Sequence, residues 1–142
     1  MPDMTTPIDV PAPPGAPFPD PRAVTLYPDQ TVGDRGSYTL PAAGFLDELT
    51  DEGIDVRPWH DPDHADWTAE RDPVLLTLIL GIASAAAWDA VKLLLHRRGT
   101  GKVKITAGFH HDGQTRWLQA EGEAGSVADA LDKLTPWQPP TP

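Results

Sequence analysis

The sequence contains no cysteine and only three serines, and these shortages exclude several kinds of chemistry. Without thiols there are no disulfides, no cysteine nucleophile and no cysteine-based zinc site. Ser84 lies within an apolar stretch, Ser126 precedes an amphipathic one, and Ser37 lacks a Gly-x-Ser-x-Gly setting. A serine hydrolase is therefore not expected.

Positive charge is also scarce. Eleven lysines and arginines stand against 21 aspartates and glutamates, and the net charge is −10 at pH 7. Because the acidic residues are spread along the chain, we expect no binding to the phosphates of nucleic acid. An acidic surface suits solubility, or a basic protein partner that is attracted electrostatically.

Signals for cofactors and for export are missing as well. Residues 99–102 (GTGK) match the end of a P-loop, but the first glycine of that motif would fall at His96, and Val103 replaces its Ser/Thr. These residues therefore predict a plain turn, and we expect no cofactor. The sequence does not open on a basic region followed by an apolar run, which favours a cytoplasmic location.

Proline marks the expected limits of the folded part. Eight of the 17 prolines lie in residues 1–22 and four in residues 136–142. Proline lacks a backbone N–H and fixes φ, so both ends are predicted to be disordered or polyproline-like tails. A single domain is expected between them, over residues 23–135.

One long apolar stretch dominates the middle of the chain, at residues 74–95 (VLLTLILGIASAAAWDAVKLLL). Asp89 and Lys92 in its second half make a membrane span costly. We therefore predict a long apolar helix at the centre of a globular domain, with a membrane-associated helix as the alternative. Asp72 would cap its N-terminus, and Gly99 would end it after a basic last turn.

The clearest local prediction is a β-hairpin near the C-terminus. Apolar and polar residues alternate on both sides of Asp112-Gly113, a dipeptide that favours a type I′ turn. Folding about that turn places Ala107 opposite Leu118 and Lys104 opposite Glu121, so that apolar meets apolar and plus meets minus.

Shorter patterns complete the predicted fold. Short strands are predicted at residues 23–27 and 54–57, a helix at 41–52, and loops at 33–37 and 59–67. Ser126 and Asp129 form the pattern of a capping box, which predicts the start of a last helix. The expected fold is α+β: a small mixed sheet with the element order β-α-β-α-β-β-α and the helices largely on one face.

Residues 60–66 carry two histidines and three aspartates, residue types that bind divalent cations. Pro62 disfavours a regular helix there, so His60 and His64 are not held on one face. A metal site would also need a further ligand, such as His110 or His111. An acidic surface loop is the simpler interpretation, and we expect elemental analysis to find no stoichiometric zinc, manganese or calcium.

Two tryptophans are candidates for contact with a partner. Trp88 lies on the polar side of the predicted central helix, and Trp117 lies on the polar face of the hairpin. Tryptophan is enriched at binding hot spots. A second layer over the sheet would instead bury both side chains. No catalytic, cofactor-binding or metal-binding residue is indicated.

The apolar stretch that ends in Arg97-Arg98, the hairpin VKITAGFHHDGQTRWLQAEG and the short helix after it resemble the effector-associated constant component domains of bacterial conflict systems. The resemblance covers residues 23–134 and is carried mainly by residues 74–134. Family members tend to have a glycine-rich entry to this helix, where this chain has only Gly81. Those domains are small accessory modules encoded beside proteases and other effectors, so the resemblance implies a non-enzymatic role without catalytic residues.

These observations predict a non-enzymatic protein-interaction or adaptor module that acts with a separate effector protein. Two alternatives stay open. Small size and negative charge also fit an immunity-type inhibitor of a basic toxin. A metal-dependent enzyme is the other alternative, and residues 60–66 would have to supply the ligands of its metal ion.

Overall fold

The computed structural model describes residues 6–12, 24–28, 30–68 and 75–136. These ranges form a mixed α+β fold, as predicted. In chain order, the elements are β1 (Ile8–Asp9), β2 (Val24–Leu26), β3 (Gln30–Val32), β4 (Arg35–Thr39), α1 (Leu40–Asp51), β5 (Val56–Pro58), β6 (Ala65–Thr68), β7 (Leu75–Ile82), α2 (Ala85–Arg98), β8 (Lys102–His111), β9 (Gln114–Glu123) and α3 (Ala124–Asp132). A short 3₁₀ turn, Pro62–His64, precedes β6.

The larger sheet has six strands in the order β1-β9-β8-β7-β2-β5. It is mixed, because β7 runs parallel to β8 while β8 and β9 are antiparallel. Strand β5 pairs with β2 and forms one edge of this sheet, where its Pro58 is tolerated. A second sheet, with the order β3-β4-β6, was not predicted.

The prediction of one central helix over residues 74–95 is wrong in its first half. Residues Leu75–Ile82 form strand β7, and helix α2 begins only at Ala85. Ser84 caps this helix, since its hydroxyl accepts a hydrogen bond from the backbone N–H of Ala87. A strand buried within a sheet has the same continuous apolar sequence as a buried helix, and periodicity does not separate the two.

The end of that helix is as predicted, because its last turn is basic and Gly99 follows with a φ of +57°. The expected cap at Asp72 lies outside the described residues. None of the helices in the described part of the chain is long and apolar enough to cross a membrane.

The hairpin prediction is confirmed in turn and in register. Ala107 pairs with Leu118, and Lys104 pairs with Glu121. Asp112 and Gly113 both have positive φ, at 52° and 76°, which is the backbone of a type I′ turn.

One face of the larger sheet and the three described helices share a single hydrophobic core. Alternate residues of β7 and β8 point into it, and the helices contribute the other side. The largest members that are fully buried include Leu78, Leu80, Ile82, Ile105, Phe109, Phe45, Leu49, Trp88, Leu94 and Leu95. The helices therefore lie on one face of the sheet, as predicted.

Three local predictions need correction. The last helix begins at Ala124 after Glu123, not at Ser126, because the chain turns directly from β9 into the helix. The loop predicted at residues 33–37 contains most of β4, and the loop predicted at 59–67 contains most of β6. Both strands are short and have mixed polarity, so a period of two is hard to recognise in them.

Part of the predicted N-terminal tail forms sheet. Ile8 and Asp9 pair with β9, and Asp9 accepts two hydrogen bonds from the guanidinium of Arg116. This pairing holds the pKa of the Asp9 carboxyl below its ordinary value. The rest of the predicted tails, apart from residues 6, 7, 10–12 and 136, lies outside the described ranges.

Candidate functional site

Trp88 is buried, which corrects its predicted place on a polar helix face. Only 2% of its surface is exposed. Its indole N–H donates to a carboxylate oxygen of Asp132 at 2.9 Å, and its ring meets the ring of Phe109 edge-on. Lys92 donates to the same oxygen of Asp132 at 3.1 Å. Trp88 therefore joins α2 to α3 and the sheet, and it offers no surface to a partner.

Trp117 is also buried, with 7% of its surface exposed. It lies on the sheet face opposite the helices, where its ring packs edge-on against Tyr27. A Cβ added to Gly108 would come within 2.7 Å of that ring. The absence of a side chain at Gly108 is thus what lets the indole lie flat on the strand. Neither predicted contact tryptophan is available at the surface.

Two other tryptophans are exposed. Trp59 has 46% of its surface exposed and Trp67 has 37%. The two are linked by inner rings: Trp59 meets His60 at 6.4 Å, His60 meets Tyr38 at 5.9 Å, and Tyr38 stacks on Trp67 at 4.9 Å between centroids. We call Trp59, His60, Tyr38 and Trp67 the aromatic row.

The small sheet positions the aromatic row. Strands β4 and β6 are parallel and place Tyr38 directly beside Trp67. At the other end, the backbone N–H of Trp59 donates to the carbonyl of Leu26 at 2.8 Å, which ties the row to the larger sheet. The row therefore lies where the two sheets meet.

Tyr38 holds the centre of the row. It is 1% exposed, and its hydroxyl accepts from the backbone N–H of His60 at 2.9 Å. The same hydroxyl lies 2.8 Å from His60 Nδ1. Donation of its proton to that nitrogen leaves the imidazole proton on Nε2. Burial raises the pKa of the Tyr38 phenol, against the opposing effect of its hydrogen bond to His60.

Gly36 makes room for the imidazole. A Cβ at this position would meet Nδ1 of His60 and the Cβ of Pro28 at less than 3.0 Å. No larger residue fits between these groups without moving one of them. This close approach of Gly36 fixes the position of His60 within the aromatic row.

A cleft lies beside Trp59. It is shallow and open to solvent, with a volume of about 490 Å³, and is lined by Thr31, Gly33, Asp34, Trp59, His60, Asp61 and His64. Asp34 lies 3.3 Å from Nε2 of His64. Asp61 also lines the cleft and is exposed, whereas neighbouring Arg35 is not among the lining residues and makes two hydrogen bonds to Asp66. These bonds keep the pKa of the Asp66 carboxyl below its ordinary value. The rim of the cleft is therefore acidic, and its wall is aromatic.

The candidate metal ligands of residues 60–66 do not converge. His60 is bonded to Tyr38, His64 lies beside Asp34, and Asp66 is held by Arg35. Within the described ranges, no group of three His, Asp or Glu side chains is arranged to hold a metal ion. His110 bonds to Thr115 across the hairpin, far along the larger sheet. The expectation of no bound metal stays a prediction.

A second cleft, of about 440 Å³, lies near the hairpin turn, between Phe109, Arg116 and Leu134. The guanidinium of Arg116 is already paired with Asp9. The lining of this cleft also includes His111, Asp112 and Thr115, and His111 Nε2 lies 3.3 Å from Asp112. The Thr115 hydroxyl, however, bonds to His110 and not to His111, so these groups are not joined as a nucleophile, base and acid would be. Ser84 is a helix cap, and residues 99–101 form the turn that the sequence predicted between α2 and β8.

Sequence reasoning singled out residues 59–67 for their histidines and aspartates, and it missed Tyr38. The partner of a parallel strand lies far along the chain, and a single tyrosine in a short polar strand carries no signal of that pairing. The usable signal was the pair of tryptophans that bracket the segment.

Comparison of the chain with models of protein families, with curated proteins and with solved structures found no match. The site must therefore be interpreted from its own geometry.

Replacing Tyr38 with Phe should lower the free energy of unfolding by about 1–2 kcal/mol, because the hydroxyl satisfies the N–H of His60. Urea denaturation measures the loss, and the NMR signals of the His60 ring should shift. Ser37→Ala, on the neighbouring residue of β4, is the control and should change stability much less. A Tyr38→Phe protein with unchanged stability and unchanged His60 signals would contradict this role.

Alkaline pH should destabilise the chain through its two tyrosines. Burial raises the pKa of Tyr27 to about 12, and burial also raises that of Tyr38. Above a pH of about 10 the unfolded chain loses phenolic protons that the folded chain keeps, so the free energy of unfolding falls as pH rises. Tyr27 alone should account for about 2–3 kcal/mol by a pH of about 12.

Denaturation at increasing pH measures this loss, and tyrosinate absorbance of the folded chain should rise at a higher pH than that of the unfolded chain. Tyr27→Phe should remove most of the pH dependence. Free ionisation of both phenols near their ordinary pKa in a chain that stays folded would refute the assignment.

Proposed function

We propose that the chain is a non-enzymatic protein-interaction module that acts with a separate effector, and that the aromatic row is its contact surface. The single observation behind this proposal is the exposure of Trp59 and Trp67 on either side of a buried Tyr38. Large aromatic side chains left at a surface are costly in water and are the residues that most often anchor protein interfaces.

The row is held in place before any partner arrives. Stacking on Tyr38 restricts the ring of Trp67, and a hydrogen bond to Leu26 anchors the main chain at Trp59. A partner that covers the Trp67 ring loses little side-chain entropy, so more of the burial energy appears as affinity. This supports a binding surface over an accidental exposure.

The surroundings of the row favour a basic partner. Asp34 and Asp61 line the cleft beside Trp59 and are exposed, and the whole chain carries a charge of −10. Acidic residues around an aromatic centre speed the approach of a basic surface and leave the central rings to supply affinity.

The resemblance to effector-associated constant component domains remains part of this proposal. Accessory domains of bacterial conflict systems act beside an effector that carries the chemistry. Among the described residues, the Ser84 hydroxyl caps α2, His110 bonds to Thr115 across the hairpin, and His96 lies 3.1 Å from Asp129, each in a structural role. An adaptor needs no more than these.

An immunity-type inhibitor of a basic toxin is the second candidate, and the acidic rim around Trp59 favours it. The two candidates differ in the partner. An adaptor binds an effector without blocking it, whereas an inhibitor covers the working site of a toxin. Activity of the partner, measured with and without the chain, separates them.

Co-expression with the products of the adjacent genes tests the proposal. We expect one of them to co-purify at a fixed ratio. Trp59→Ala and Trp67→Ala should each weaken the complex at least about tenfold, as for residues at a hot spot. Leu93→Ala is the matched control, because Leu93 is an exposed apolar residue on α2.

The thermal melting of the Trp59→Ala and Trp67→Ala variants should show that both remain folded. Failure of every neighbouring product to bind, or a complex that both alanine variants leave unchanged, would reject the aromatic row as the contact surface.

A further inference from the structure

We infer that the cleft beside Trp59 binds an arginine side chain of a protein partner. The inference rests on the proposed function for the claim that the cation belongs to a protein, and on the geometry of the cleft for the claim that it is an arginine.

The wall of the cleft is Trp59. Nearly half of its surface is exposed, and the backbone hydrogen bond to Leu26 fixes the residue that carries it. A guanidinium stacks on an indole face through cation–π attraction and flat contact. Indole gives the strongest such interaction among the aromatic side chains.

The rim supplies negative charge. Asp34 and Asp61 both line the cleft and both are exposed. A carboxylate takes two parallel N–H donors from one guanidinium, an arrangement that an ammonium group does not offer. An arginine that enters between them therefore meets an aromatic face and an acidic edge together.

The lysine and arginine side chains that the structure describes do not occupy the cleft. Its lining, as far as the described residues supply it, contains no lysine or arginine. Arg35 is the guanidinium next in sequence to Asp34, and it is bonded to Asp66 and to the carbonyl of Asp63. His64 is the side chain nearest to Asp34, at 3.3 Å. The charge of Arg35 also interacts with Asp34, but its hydrogen bonds go to Asp66 and Asp63. An incoming guanidinium thus competes with Arg35 for the charge of Asp34, and with His64 for its contacts.

Charge complementarity selects this occupant over others. An anionic ligand would meet two carboxylates, and a purely apolar side chain would leave them unanswered. A divalent cation finds no group of three suitable side chains in the described ranges. A guanidinium can both stack on the indole ring of Trp59 and donate hydrogen bonds to the carboxylates.

The experiment uses N-acetyl-arginine amide as the probe and follows the indole N–H signal of Trp59 by NMR, identified through Trp59→Phe. N-acetyl-citrulline amide is the matched control, since citrulline has the shape of arginine without its charge. We expect saturable, weak binding of the arginine probe, at least about fivefold weaker binding of citrulline, and weaker binding of N-acetyl-lysine amide.

Two variants and one condition sharpen the test. Asp34→Asn with Asp61→Asn should weaken the arginine probe by about three- to tenfold, and salt at about 0.3 M should weaken it as well. Asp47→Asn with Asp51→Asn, which removes two exposed carboxylates of α1, should have no effect. Both double variants should stay folded, with backbone amide NMR spectra that match the natural chain away from the substituted residues.

Equal response to arginine and citrulline, a lysine probe that binds as well, or no saturation at all would overturn the inference. These outcomes are distinct from failure of the proposed function. If a neighbouring product binds through the aromatic row while the probe does not bind, the cleft assignment alone fails. If the probe binds and no neighbouring product does, the adaptor role fails and the cleft remains.

Discussion

Replacing Leu78 with Ala should lower the free energy of unfolding by about 3–5 kcal/mol, the cost of an unfilled cavity in a packed core. Leu78 is fully buried in β7, on the face that the helices cover. Its neighbour Ile79 points to the opposite face and is only partly buried. Ile79→Ala should therefore cost less, about 1–2 kcal/mol.

The alternation is the decisive part of this result. Urea denaturation of Leu78→Ala, Ile79→Ala and Leu80→Ala should give large, small and large losses in that order, which is the period of a strand. A helix would instead make the cost vary with a period near four residues. Losses of equal size at all three positions would contradict the strand.

Replacing Gly108 with Val should cost about 2–3 kcal/mol, because the new side chain would overlap the ring of Trp117. The indole has little room to move, since it is buried and packs against Tyr27. Valine suits a β-strand well, so any loss of stability comes from the overlap and not from strand propensity. Chemical denaturation measures the loss.

Two controls define the cause. Gly44→Ala, in an exposed and open position of α1, should raise stability by about 0.5–1 kcal/mol. In a Trp117→Leu background, Gly108→Val should cost at least about 1 kcal/mol less than in the natural chain. An unchanged cost in that background would show that the overlap is not with Trp117.

The hairpin shows which parts of this fold are predictable from sequence. Its strands are adjacent in the chain, the turn residues have a strong backbone preference, and each face has its own polarity. Register, turn type and pairing all followed from these local facts. Helix α1 was predictable for a similar reason, because its apolar spacing and its proline near the start agree.

The apolar stretch shows where local information is insufficient. Strand β7 and helix α2 follow each other with a two-residue connection, and both are apolar enough to be buried. Only the pairing of β7 with β8 and β2, which are remote in sequence, decides that the first half is extended. The capping hydroxyl of Ser84 was the local signal of the boundary, but the single helix predicted over residues 74–95 ran across it.

The candidate site was predictable only in part. The segment around His60 drew attention through its composition, whereas the aromatic row depends on Tyr38, which no local pattern connects to it. Trp88 and Trp117 were chosen as contact residues because the predicted elements put them on polar faces. Trp88 is buried where α3 packs beside α2, and Trp117 is buried against Tyr27 on the sheet face opposite the helices. Neither contact was predicted from the sequence.

The aromatic row forms only when segments that are distant in the sequence come together, so a partner can bind it only in the folded chain. Twenty-two residues separate Tyr38 from His60, and 30 separate Tyr38 from Thr68 at the end of β6. The row therefore requires the pairing of β4 with β6, which brings together side chains that are remote in sequence. A nascent or partly melted chain therefore lacks the surface, and a partner that recognises it selects finished molecules and stabilises them by mass action.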